Sequence, residues 1–587
     1  MSAPDCPAPT GLAPLESRRQ TGPGRLLDTP GAALEVHAPE ALRAPLAAAW
    51  RRHARALLDG LGWNAGALAA RPFPRGLSLA VGAPIDGLYT ATALNEAALA
   101  AAAADVSAGL PLAPPEPRAE TLARLRAARD AEARPALLAL AEAAAARRLS
   151  LLWDDAYVTL GSGAGSRSWP ADALPAPDAV DWRTLSDVPV ALVTGTNGKS
   201  TTARLLAAMA RAAGFTPGLS TTDYVAVGDI VIEQGDFSGP MGARAALRDR
   251  RVTLGVLEVA RGGLLRRGVP LTTALAAAVT NVAADHLGEY GVDELAALAE
   301  AKFTVAKALR PGGVLVVAAD EPVAADEAAR QAEALRRRGV RLAWTALDPD
   351  HPRLAAALAP DAPPAATLRD DWLAVARDGA WSPLLPAAEA PLTLGGTAVH
   401  NLRNALTAVA LGVALGLPDA ALTEGLLGFR GDATDNPGRA NRFTVRGAEA
   451  LVDYAHNAHG MAALVALAAA RPARRRLVLL SSAGDRRDED LEAMAAAVAP
   501  LRPDRVLLAD LPDYLRGRAP GEVPARFVRA FAAHGVPESA CQACPDPAAG
   551  VREAVAWARP GDHLLLFVLS HRDEALALLQ QENDMEA

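Results

Sequence analysis

Seven consecutive residues, Gly195-Thr196-Asn197-Gly198-Lys199-Ser200-Thr201, carry the first chemical signal in this chain. Two glycines let the backbone curl so that its N–H groups face an anion, and a helix starting just after them adds the positive end of its dipole. In such a loop Lys199 bridges the β- and γ-phosphates of a nucleotide, and the Ser200 hydroxyl ligates Mg²⁺. The spacing departs from G-x-x-x-x-G-K-[ST], whose first glycine would stand where Val193 is. The plain alternative is a glycine turn that only opens a helix. Lysine usage favours the phosphate reading: of 59 Lys plus Arg, only Lys199, Lys302 and Lys307 are lysine. The chain is rich in Ala, Gly, Pro and Arg, a coding bias that replaces Lys by Arg wherever a generic cation suffices. The surviving lysines are therefore candidates for sites that need a primary amine. Asparagine is also scarce, and seven of its ten occurrences, Asn197, Asn281, Asn401, Asn404, Asn436, Asn441 and Asn457, fall in the segments discussed here.

Other residues could join this loop. Glu258 ends an apolar run, LGVLE, and an acid there suits Mg²⁺ ligation beside Ser200; a helix cap or an ion pair with Arg261 is the alternative. Asp285-His286 follows the next apolar run, at the strand end where ligands of α/β proteins bind, or else caps a helix. Lys302 lies in a helical pattern, open to an ion pair with Glu300 or Glu258. Lys307, five residues on, points elsewhere on that helix and is expected as a solvated helix-end charge. Asp485, Asp488 and Glu489 could read a basic ligand, or could be a solvated helix start. Cys541 and Cys544 form no second pair with Cys6, so structural thiols are expected rather than a metal site.

These residues need a scaffold. From VPVALVTGTNGKST onward, apolar runs of strand length alternate with amphipathic helical segments, which means α/β with a doubly wound parallel sheet. A second such series starts near 436 and reads as a Rossmann-like unit. Residues before 170 mix Ala-rich helices, one expected over 130–147, with strand-like runs such as LEVHA and LSLAVGAP, giving an α+β unit. The expected division is 1–170, a Pro- and Asp-rich linker 171–186, a central ATP-binding unit 187–435 and a C-terminal unit 436–587. A composition of 51% hydrophobic and 21% charged residues excludes a disordered chain, and few cysteines suit a reducing, cytoplasmic setting. The net charge of −8 gives no reason to expect nucleic acid, and no transmembrane run or secretory signal is apparent.

TGTNGKST resembles the ATP loop of the Mur ligase superfamily. STTDYV, GDFSGPMGAR, LEVARGGLLRRG, TNVAADHLGEYG, HNLRN, NPGRANRF, DYAHNAHG, GDRRDED and RGRAPGE follow in order and resemble the Mur-ligase half of the cyanophycin synthetase family. TGPGRLLDTPGAALEV and YVTLGSGAGSR are similar to the N-terminal domain of that family, whose ATP-grasp domain is replaced here by the short linker. The resemblance implies an ATP-dependent, ADP-forming ligase that turns a carboxylate into an acyl phosphate and joins it to an amino acid. It puts His286 on a second Mg²⁺ and makes Lys302 a candidate for a CO₂-derived carbamate that ligates metal, which requires a neutral amine. It places Asn401 and Asn404 near adenine and ribose, Arg439 at the interdomain joint, and Asp453, His456 and Asn457 closing over ATP. It further implies a peptide or polymer acceptor, a separate ATP-grasp polymerising partner, and a possible homo-oligomer. A folate-like or cell-wall acceptor, or a catalytically silent partner subunit, stays open as an alternative.

Overall fold

The computed structural model describes residues 12–63, 66–106, 115–377 and 379–586; Cys6 lies outside them. Its centre is an eleven-stranded sheet. Seven neighbouring strands run parallel, in the order Pro217–Ser220, Leu254–Glu258, Val190–Thr194, Ala274–Val279, Leu309–Ala318, Arg341–Ala346 and Ala365–Arg369. Antiparallel strands extend both edges. Val190–Thr194 is entirely buried, as a parallel strand covered on both faces must be. Helices Lys199–Ala212 and Val399–Ala414 cover one face through Leu205, Leu206, Leu402 and Leu406, each buried leucine stabilising by about 2 kcal/mol. The other face packs against Leu264, Leu298 and Phe303.

A second sheet of six strands follows, ordered Asn441–Val445, Ala448–Asp453, His563–Phe567, Arg476–Ser481, Arg505–Ala509 and Cys541–Cys544, parallel except for its first strand. It too is covered on both faces. The N-terminal unit is an antiparallel five-stranded sheet with helices Glu40–Leu61 and Leu88–Val106 packed on it. The fold is thus mixed α/β with parallel sheets.

Two local expectations are corrected. The single helix over 130–147 is two, Arg118–Glu132 and Pro135–Ala146. Pro135 has no N–H to continue the first helix and instead begins the second. The helix of Lys302 ends at Phe303 and tightens into a 3₁₀ turn, Thr304–Ala308, which carries Lys307. Lys307 is not a solvated charge: its Nζ donates to Gly24 O at 2.6 Å and pairs with Asp28 at 2.7 Å. The Pro-rich stretch 171–186 has no long element, and Val180 and Trp182 pack on Leu140 and Ala144. Among the described residues no helix is long and apolar enough to cross a membrane.

Candidate functional site

Val190–Thr194 lies where the order of strands reverses, between Leu254–Glu258 and Ala274–Val279. A crevice opens at the carboxyl ends of strands at such a point. The glycine loop leaves Val190–Thr194 there with Gly195 at φ 150° and Gly198 at φ 80°. A Cβ on Gly195 would sit 1.9 Å from Thr280 Oγ1, and one on Gly198 2.2 Å from Asn404 Oδ1, so the loop is as tight as its glycines allow. Its shape is fixed from the next strand: Asn197 N donates to Asn281 Oδ1 at 2.9 Å, and Thr280 Oγ1 donates to Asn197 O at 2.6 Å. Lys199 Nζ donates to Thr196 O at 3.0 Å.

Ser200 Oγ donates to Glu258 Oε2 at 2.8 Å, and Thr222 N and Oγ1 also donate to Glu258, at 3.1 and 2.7 Å. Glu258 is neither a helix cap nor a partner of Arg261, which pairs with Glu289 and donates to His286 O at 2.7 Å. The buried Ser200–Glu258 pair is an oxygen donor set suited to a hard divalent cation.

Lys302 is 3% exposed, and no carboxylate lies within ion-pairing distance of it among the described residues. Glu300 is taken by Arg25 and Arg71, and Glu258 by Ser200 and Thr222, so neither expected ion pair forms. Burial first, with Lys199 and Arg261 nearby, holds the Lys302 amine well below the usual lysine range against the pull of Asp285. A neutral amine facing a cavity is what addition to CO₂ requires.

Asp285, His286 and His456 bring ligand atoms within 4.8 Å of one another. Arg486, from the C-terminal unit, joins them: Nη1 donates to Asp285 Oδ1 at 2.8 Å and Nη2 to His286 Nε2 at 3.1 Å. Burial, with Arg486 and Arg261 close by, lowers His286 to about 4, which leaves its ring a neutral acceptor. Burial opposes ionisation of Asp285, but His456, Arg486, His286 and Lys302 outweigh it and hold the carboxyl well below the usual range. His456 Nδ1 faces Tyr454 O at 3.0 Å, which turns Nε2 toward Asp285.

One cavity of about 690 Å³ collects Gly195 through Thr201, Glu258, His286, Lys302, Asn401, Asn404, Arg439, Asp453 and His456. Asn401 and Asn404 start one helix and bond to each other at 3.1 Å. Half-buried Arg439 lies over the Tyr454 ring at 4.5 Å, and Asp453 accepts from Ala440 N and Ala455 N. Asn457 does not line the cavity: it caps helix Ala458–Ala469 through Gly460 N and exchanges two 3.1 Å bonds with Asn197. Sequence reasoning did not assign Arg486, Arg261, Glu321 or Arg403, all close to this space. The acidic trio is also corrected. Asp485 pairs with Arg516, and Asp488 with Arg518 and Arg526, so two of the three acids are already neutralised within their own unit.

Groups from a glycine loop at a switch point and from a second α/β unit thus line one cavity shared between units. Residues 193–351 match the Mur ligase middle domain, and residues 438–567 the Mur ligase glutamate ligase domain. The chain belongs to the Mur ligase family. It is similar to cyanophycin synthetase of Synechocystis sp., 35% identical over 347 residues, covering 59% of this chain but 38% of that protein. It therefore spans well under half the length of that relative. It is also 31% identical to the UDP-N-acetylmuramoyl-L-alanyl-D-glutamate–2,6-diaminopimelate ligase of Parasynechococcus marenigrum, over 65% of this chain and 72% of that one. E. coli FolC in complex with ADP aligns over 68% of this chain and 90% of its own, at 19% identity and a TM-score of 0.48.

Proposed function

We propose that the protein is an ATP-dependent, ADP-forming ligase that joins a carboxylate to an amino acid. The observation that carries this reading is the meeting of the glycine loop, the Ser200–Glu258 pair, the Asp285–His286–His456 cluster and the unpartnered Lys302 in one cavity. A carboxylate is a poor electrophile. Its oxygen attacks the γ-phosphorus of ATP, ADP leaves, and the acyl phosphate formed is open to the donor amine. The amine adds to the carbonyl carbon, phosphate departs, and the amine sheds a proton. The protein positions the reactants and neutralises charge. Loop N–H groups and Lys199 hold the phosphates, while Asn401, Asn404, Arg439, Asp453 and His456 enclose the rest of the nucleotide. Ser200 and Glu258 would hold one divalent cation, and His286 with a carbamate on Lys302 a second; bound there, such ions draw charge off the transferring phosphoryl group.

The acceptor we infer is a carboxylate-rich peptide or polymer. A second cavity of about 580 Å³ runs between the N-terminal and central units and shares Asp236, Ser238 and Arg266 with the first. Five arginines line it, Arg19, Arg266 and Arg267 among them, and so do five carboxylates, Asp154 and Asp236 among them, so the carboxylate-rich acceptor rests on family likeness rather than on an unbalanced charge. The units 12–170, 187–435 and 436–586 then act as acceptor, nucleotide and donor modules. A basic donor rests on family likeness alone, because Asp485 and Asp488 are already paired. With one such phosphate loop among the described residues, the chain would perform one ligation, on side chains, and leave backbone extension to an ATP-grasp partner. The test is incubation with ATP, Mg²⁺, a short poly-aspartate primer, aspartate and basic amino acids, followed by mass spectrometry. Side-chain additions on an unlengthened backbone are expected. A backbone that grows without a partner removes the single-ligation reading. Absence of any ATP-dependent product, with folate-like and cell-wall acceptors included, removes the ligase reading.

A further inference from the structure

The loop 285–293 carries Asp285 and His286 and leads into the helix Leu295–Phe303, which bears Lys302. Its backbone is costly. His286 and Tyr290 take left-handed φ of 51° and 55°, with Gly288 at 101° and Gly291 at 67° between and beside them. Each non-glycine residue in that region costs on the order of 1–2 kcal/mol, so such a loop persists only where its surroundings over-determine it.

Much of that surrounding comes from the N-terminal unit. Arg75 Nη2 donates to Gly288 O at 2.5 Å, and its Nε and Nη2 grip Asp293 at 3.0 and 2.7 Å. Arg25 Nη1 donates to Gly291 O at 3.2 Å, and its Nε reaches Glu300 at 3.2 Å. Arg71 pairs with the same Glu300, two residues before Lys302. Gly291 lies so near the hairpin of strands Leu68–Phe73 and Gly76–Gly82 that a Cβ there would sit 2.5 Å from Ser78 Oγ and 3.0 Å from Phe73. Arg18 stacks on the Tyr290 ring at 4.9 Å. The central unit adds Arg261 on His286 O and Arg266 on the Tyr290 hydroxyl.

We propose that the N-terminal unit is an intramolecular clamp that holds the His286 loop and the Lys302 helix in register with the glycine loop, with Arg25, Arg71 and Arg75 as positioning residues. None of the three touches the nucleotide cavity. They act through Gly288, Gly291, Asp293 and Glu300. The catalytic consequence rests on the ligase reading; the structural consequence does not.

Hydrogen–deuterium exchange on full-length Arg75→Ala and Arg71→Ala proteins tests the clamp directly. Peptides covering 284–294 are expected to exchange about tenfold faster or more, while those covering 199–212 keep wild-type protection. Wild-type exchange of 284–294 in both variants overturns the clamp. Should an alanine variant fail to fold, Arg75→Lys and Arg71→Lys carry the same measurement. In turnover, kcat is expected to fall by about tenfold to a hundredfold while KM for ATP stays within about twofold. Arg75→Lys, which can keep one of the contacts, should recover part of that loss. Arg52→Ala, on an exposed pair with Asp105 in the same unit, should match wild type in both measurements. An equal effect in Arg52→Ala, or parallel damage to KM and kcat, overturns the positioning role. A wild-type protein without turnover sinks the ligase reading, and the exchange measurement still decides the clamp.

Discussion

At the glycine loop and Ser200 the central wall of the cavity holds its groups by bonds within one unit, whereas the C-terminal wall bonds to them from a separate unit. On the central side, Thr280, Asn281 and Glu258 fix the glycine loop and Ser200 from strands that neighbour it in the same sheet. Arg486 to Asp285 and His286, Asn457 to Asn197, and Arg572 to Asp223 instead join residues from two sheets that share no strand. The glycine-loop part of the first wall is finished whenever the central sheet is folded, while its His286 loop also leans on the N-terminal unit. The second exists only while the units are together; under the ligase proposal, nucleotide would dock on the central wall and closure would add the remaining contacts. Arg486 fits that order: it occupies the Asp285–His286 pair with a cation borne by the C-terminal unit.

The largest effects should come from breaking the central wall. Lys199→Ala removes the amine of a half-buried loop residue that is bonded only to Thr196 O, and turnover should fall about a thousandfold while the thermal midpoint holds. Wild-type turnover in this variant would falsify the assignment of the loop. Lys302→Arg keeps a positive charge but cannot form a carbamate. Loss of about a hundredfold or more is expected, with Lys302→Ala partly rescued by a small carboxylate anion. Full activity of the arginine variant returns Lys302 to a plain buried cation.

The same division governs what was legible in the sequence. The parallel sheets were readable because buried strands leave unbroken apolar runs, as LGVLE and VALVT do, and these alternate with helical segments. The glycine loop and Glu258 stood out because residue type and strand end coincide within a few positions, and Lys302 because it is one of only three lysines. Arg486 was not: its partners lie about 200 residues away, and in GDRRDED it looks like one charge in a solvated run. The acids beside it misled for the same reason, since Arg516, Arg518 and Arg526 come from a separate segment. The break at Pro135 was missed because alanine on both sides carries the helical pattern straight through it.

A milder effect should follow from cutting the bridge between the units. Arg486→Ala leaves Asp285 and His286 in place and removes only the guanidinium that spans the units. Affinity for a non-hydrolysable ATP analogue should change by less than about threefold, and kcat/KM for the full reaction should drop about tenfold, the size of one charge-assisted contact. Arg486→Lys can replace one of the two bonds and should fall between. If analogue affinity collapses instead, the two walls are not independent, and nucleotide binding itself requires closure.

The smallest effect separates the walls by acid. His400 sits at the start of the helix carrying Asn401 and Asn404; burial, with Arg403 beside it, lowers it to about 4. In the unfolded chain it titrates near about 6.5. Above that pH both states are neutral and the stability contribution is complete. As pH falls from about 6.5 toward about 4, the unfolded chain binds a proton that the folded state refuses, so stability is lost with acid. At pH 5 the His400 share should be on the order of 1 kcal/mol, visible as a lower urea midpoint than at pH 7.5. His400→Gln should shrink that drop. Arg486→Ala should leave the His400 share untouched, because Arg403, not the C-terminal wall, is the charge that acts on His400. An Arg486→Ala protein that loses the acid sensitivity of His400 would show that the central wall takes its electrostatics from the C-terminal unit after all.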